Sequence, residues 1–96
     1  MTVALVVTLK IKSGQGSEFE QAFGALQSAV RANEPGVKQY ELFRGADDTY
    51  VILEQYDDEA ALAAHGASAH FKELSPKLGP FMDGRPEMKR GLTKVS

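Results

Sequence analysis

Hydrophobic residues alternate from the start of the chain. Val3, Leu5, Val7, Leu9 and Ile11 share one face of an extended segment, and Ala4, Val6 and Thr8 share the other. This period-two pattern, rich in β-branched residues, predicts a strand. Both of its faces are fairly apolar, so both call for cover, one from the chain's own helices and the other from a second subunit. The period changes at "SGQGSEFE". Gly14 and Gly16 predict a turn, and Ser17 with Glu20 has the spacing of a capping box. Phe19, Ala22, Phe23, Leu26, Ala29 and Val30 then recur at helical spacing, which predicts an amphipathic helix of about four turns. Pro35 disfavours helix at Glu34, and Gly36 frees the turn that follows.

"VKQYELFR" predicts a second strand, with Lys38, Tyr40 and Leu42 on one face and Val37, Gln39, Glu41 and Phe43 on the other. After the turn "GADD", "TYVILEQY" predicts a third, with Tyr50, Ile52, Glu54 and Tyr56 opposite Val51, Leu53 and Gln55. The short link makes the two an antiparallel hairpin. "DDEAALAAHGASAHFKEL" is Ala-rich and helical, capped by Asp57 or Asp58, weakened at Gly66, with Ser68 placed to cap a second short helix. Pro76, Pro80 and Pro86 predict an irregular loop, shaped enough to serve as a lid, before a last short strand in "EMKRGLTKV". The order β-α-β-β-α-β is the ferredoxin-like arrangement, an α+β fold with an antiparallel sheet.

Composition narrows the function. Residues 1–96 are expected to form one domain whose core is modest for its surface, so pairing with a second copy is a natural supplement. Net charge is -2, which gives no reason to expect nucleic acid or an anionic membrane as partner. Lys89, Arg90 and Lys94 read as a solvated strand end. There is no cysteine, which removes disulfides, thiolate metal sites and a cysteine nucleophile, and suits a cytoplasmic location. The apolar opening segment is too short to span a bilayer and lacks the layout of a signal peptide.

The chain has two histidines, His65 and His70, both in "AHGASAHF". On a continuous helix, five residues separate two side chains by about 140°. They cannot chelate as an i, i+4 pair, and no third ligand stands at motif spacing, so no metal is expected. A break between Gly66 and Ser68 is what it takes to bring the rings closer. Glu54, on an otherwise apolar strand face, needs a partner if buried, such as an ion pair, His65 or a substrate hydroxyl. Asn33 is most simply a helix-end residue, with ligand contact as the alternative.

Taken together, "EPGVKQYELFR", "VILEQYDDEAAL" and "AHGASAHF" resemble the antibiotic biosynthesis monooxygenase family, across nearly the whole chain. The resemblance implies a dimeric α+β barrel, in which two sheets face each other and each subunit holds a pocket between sheet and helices. It is closest to the quinol monooxygenase-like branch, which has His at position 65 and "S-x-H-F" after it. The heme-degrading branch fits poorly. Its axial histidine falls on Ser75, its tryptophan on His65 and its first-strand asparagine near Val7, and serine does not ligate ferric heme as imidazole does.

The resemblance implies a cofactor-independent monooxygenase that oxidises a small quinol or polyphenol with O₂, acting as a homodimer. Such chemistry needs a base, an apolar cavity and hydrogen-bond donors for a developing oxyanion. His65 is the candidate base, since imidazole titrates near neutrality. Tyr40, Glu54, Tyr56, His70, Phe71 and Phe81 are the candidate substrate-binding residues. Two other readings stay open: an isomerase or proton-transfer enzyme on a small hydroxy-ketone, and a non-catalytic module that binds a reactive quinone.

Overall fold

Strand β1 (Val3–Lys10) lies inside the sheet, with a neighbouring strand paired along each of its edges. The computed structural model describes residues 1–96. β1 is followed by α1 (Gly16–Asn33), the hairpin β2 (Val37–Arg44) and β3 (Thr49–Tyr56), α2 (Glu59–Ala67), α3 (Ala69–Leu74), a 3₁₀ segment (Ser75–Phe81) and β4 (Glu87–Thr93). The strands form one antiparallel sheet in the order β2-β3-β1-β4, the ferredoxin-like topology expected.

The predicted faces of β1 and β3 hold. Val3, Leu5, Val7, Leu9 and Ile11 are buried, and so are Tyr50, Ile52, Glu54 and Tyr56 opposite them. Phe19, Phe23, Leu26 and Val30 of α1 supply the helical side of this core. The other sheet face is only partly covered. Ala4, Val6, Thr8, Val51 and Leu53 are half-buried there, with Phe43 50% and Leu92 41% exposed beside them.

Four local readings are corrected. The helix begins at Gly16, its N-cap Gln15 makes no side-chain bond, and Ser17 lies inside the first turn. Glu20 is drawn away from the capping role by tertiary partners, the Tyr50 hydroxyl at 2.6 Å and Arg44 at 3.4 Å. A bulge between Val37 and Gln39 turns Val37 onto the core side, opposite Tyr56, and leaves Lys38 exposed. The proline-rich stretch is a 3₁₀ segment over Ser75–Phe81 rather than an irregular loop. Pro76 stands in its first turn, where no backbone donor is needed, and Leu78 anchors it in the core. The Pro80 to Pro86 end of the stretch stays largely irregular, as expected. Finally, a bulge opposite Leu5 interrupts β4, where Gly91 takes φ +73°.

No helix is long and apolar enough to cross a membrane.

Candidate active site

The site is built around a helix break. The Asp58 carboxylate caps α2 by accepting from the Ala61 N–H at 2.8 Å. Ser68 ends α2 and starts α3. Its hydroxyl donates to the His65 carbonyl at 2.8 Å and accepts from the Phe71 N–H at 3.2 Å. The extended backbone at Ser68 (φ -68°, ψ 148°) cancels the angular separation that a continuous helix imposes on His65 and His70.

Both rings therefore reach one carboxylate. Glu34 sits at the C-cap of α1, where Pro35 stops the helix, and its side chain is 8% exposed. His65 Nδ1 lies 3.0 and 3.1 Å from its two oxygens, and His70 Nε2 also meets Oε2. A carboxylate only accepts, so both ring nitrogens donate. Burying this charge is tolerable because two donors compensate it. Nδ1 of His65 is thereby committed, which leaves Nε2 with the free lone pair. The His65 ring is wedged among Phe71, Tyr40 and Tyr56, with centroids at 4.6, 5.2 and 5.4 Å.

His65 forms part of the wall of a cavity of about 390 Å³, together with Leu5, Glu54, Leu62, Phe71, Met88 and Arg90. No buried side-chain nitrogen or oxygen lacks a partner, so Nε2, which has none in the protein, opens outward from the ring. An apolar lobe of about 170 Å³ shares Glu54, Phe71 and Met88 with this cavity and continues between sheet and helices past Tyr40, Ile52 and Leu78. Together these walls suit a small, flat, largely apolar molecule with a polar edge at His65 and Glu54.

Glu54 is 6% exposed and accepts from the Tyr56 hydroxyl at 2.6 Å. Burial pushes its carboxyl up to about 7, against the lowering effects of the Tyr56 hydrogen bond and of Arg90. Burial, with the Glu54 charge beside them, also raises the phenols of Tyr56 and Tyr40 well above the usual range, so both remain protonated.

The structure brings His65, Glu54 and Phe71 together on the cavity wall and puts Tyr40 on the apolar lobe. Tyr56 is fully buried behind the wall and acts on Glu54. Phe81 is not on the wall: it packs against the core, and its carbonyl accepts from the Lys12 N–H at 2.8 Å. His70 faces a separate cleft of about 260 Å³ between the end of α1 and α2 and α3. Glu54 does not hold His65; Glu34 does. Asn33 bonds the Ala29 carbonyl at 2.8 Å, as a helix-end residue does.

Sequence reasoning missed two residues. Glu34 reads only as a helix stop, and no spacing rule links it to histidines 31 and 36 positions away. Arg90 reads as part of a solvated tail, but the β4 bulge aims it at the cavity. Gly91 was the available signal, since a glycine in a strand often marks a bulge. No group of three or more His, Asp or Glu side chains is arranged to hold a metal ion.

Residues 2–77 match the family model described as antibiotic biosynthesis monooxygenase. A Bacillus subtilis (strain 168) protein named "Putative monooxygenase YcnE" is 38% identical over 77 residues, covering 78% of this chain and 80% of its own. Among solved structures, a "putative antibiotic biosynthesis monooxygenase" from Caulobacter crescentus CB15 superposes with a TM-score of 0.92 at 34% identity, covering 98% of this chain and 91% of that one. A conserved protein from Methanosarcina mazei Go1 follows at 0.88 and 25% identity, covering 98% and 94%.

Proposed function

The chain belongs to the antibiotic biosynthesis monooxygenase family, and on that footing we propose that it oxidises a small quinol or polyphenol with O₂, without a cofactor. One observation carries the reading: Glu34 fixes the His65 ring so that Nε2 stands free beside a largely apolar cavity. A phenol seated against Phe71 gives its proton to Nε2 as the O–H bond breaks. The resulting anion is electron-rich enough to pass one electron to O₂. The two radicals combine into a carbon–oxygen bond, and cleavage of the O–O bond leaves one oxygen on the ring and one in water. All four electrons come from the substrate, which ends as a hydroxyquinone. Glu54, with its carboxyl near 7, and the guanidinium of Arg90 face the same space and balance charge as it develops.

The active form is a homodimer joined through the half-covered sheet face. The in-register pairs Val6–Leu53 and Thr8–Val51, flanked by Phe43, make that face apolar enough to bury. A cytoplasmic location belongs to the same reading and rests on the cysteine-free composition.

The test is O₂ uptake by metal-stripped protein with a panel of hydroquinones and polyphenols. Acceleration over buffer supports the proposal. The His65→Ala protein is expected to lose about 100-fold or more in kcat with KM changed far less. No acceleration across the panel sinks the oxygenase reading. Turnover of a hydroxy-ketone that persists under anaerobic conditions transfers the same histidine to proton-transfer chemistry.

A further inference from the structure

We infer that His65, Glu34 and His70 form a proton exit, leading from the substrate cavity to the separate cleft on the far side of α2. The inference rests on the reading of His65 as the base. The two openings have no wall residue in common. His65 lines one, His70 and Glu34 line the other, and the shared carboxylate joins them. His70 retains 17% side-chain exposure, against 6% for His65 and 8% for Glu34. The gradient runs from a base exposed only at the cavity, through a buried carboxylate, to a ring in contact with water.

The chemistry requires such a route. A hydroxyquinone is a vinylogous carboxylic acid and leaves as its anion, so each turnover releases one proton. While product fills the cavity, Nε2 cannot return that proton to bulk water through the entrance. The balanced path uses both nitrogens of each ring. The proton taken from substrate stays on His65 Nε2 while the Nδ1–H bond breaks and its proton moves to Glu34. At rest His70 donates through Nε2–H; once Glu34 is neutral that donor is no longer required, and exchange with water moves the ring proton from Nε2 to Nδ1. The Glu34 carboxyl then passes its proton to the freed Nε2, and Nδ1 releases its own to water, which restores the Nε2–H form. Departure of product lets His65 return to its Nδ1–H form by exchange with water. No oxidant or reductant takes part, and no net charge stays behind. His70 thus touches neither substrate nor O₂. It acts through Glu34 on the proton held by His65.

Two measurements test this, one of them independent of turnover. In protein carrying ¹⁵N-labelled histidine, exchange of the His65 Nδ1 proton with water is read by NMR. His70→Gln keeps a donor on Glu34 but cannot relay a proton, and is expected to slow that exchange by about tenfold or more. In turnover, His70→Ala is expected to lower kcat by about tenfold at low buffer concentration with KM unchanged, and added imidazole is expected to restore it. A purely structural role for His70 predicts no such rescue. Unchanged exchange in His70→Gln, or a His70→Ala loss that imidazole leaves untouched, overturns the relay. His70-dependent exchange in a protein that consumes no O₂ with any phenol leaves the relay standing and removes the oxygenase reading instead.

Discussion

Glu54 is the residue whose energetics are most exposed to measurement. Its carboxyl titrates near 7 in the folded chain and near 4.5 when unperturbed. The native state therefore holds this proton more tightly than the unfolded state does. It follows that stability falls as pH rises from about 4.5 to about 7, and that the penalty is absent below that window and complete above it. The shift corresponds to about 3 kcal/mol. Glu54→Gln keeps an acceptor for the Tyr56 hydroxyl and removes the buried charge. Its unfolding free energy at pH 8, from urea titration, is expected to exceed that of the parent chain by about 2–3 kcal/mol, with the two converging below pH 5. Parallel pH curves would contradict this account of Glu54. The residue was visible in the sequence as a carboxylate on an apolar strand face. Its partner was not, because Tyr56 lies two positions on along the same strand and His65 eleven positions on in a helix, and only the fold says which of them the carboxylate meets.

At the scale of elements, the decisive feature is the junction of α2 and α3. One side chain, Ser68, closes the first helix and opens the second. The possibility of a cap at Ser68 was legible from Gly66 and the serine itself. Its consequence was not, since the swing of His70 toward His65 depends on where α1 ends. Gly36 shows the same dependence: a Cβ there would lie 2.8 Å from the Ala61 Cβ, so glycine is what lets α2 close down over the start of β2. Ser68→Ala removes both hydroxyl bonds. It is expected to cost about 1 kcal/mol by thermal or urea unfolding. It is also expected to loosen the His70–Glu34 bond, seen as faster solvent exchange at His70 with a smaller change at His65. A variant as stable as the parent would show that packing alone sets the break. The capping box at Ser17 is the contrary case: its spacing was correct, but Tyr50 and Arg44, brought in by the hairpin, took the Glu20 carboxylate.

For the whole molecule, the unresolved balance is between the two sheet faces. One is buried under helices, and the other carries half-buried Val6, Val51 and Leu53 with Phe43 and Leu92 exposed. If a second copy covers that face, a charge at its centre prevents association. Leu53→Arg is expected to sediment as a 10.4 kDa monomer where the parent chain sediments at twice that mass. A parent chain that is monomeric at micromolar concentration removes the dimer from the proposal.

The sequence by itself determined the strands and α-helices and the buried faces of β1, α1 and β3. Periodicity is local, and a buried row such as Val3 to Ile11 or Phe19 to Val30 is written directly in the order of residues. Together with the family resemblance, it also singled out His65, Glu54 and Phe71, which the fold sets on one cavity wall. What only the tertiary structure decided is how charges pair. Glu34 reaches His65 and His70 from another helix, Arg90 reaches the cavity through a bulge, and His70 turns to a different cleft because the helix breaks at Ser68. Hydrophobic burial is non-directional and needs only the right face. A hydrogen bond needs two particular atoms within about 3 Å, and chain order does not specify that separation.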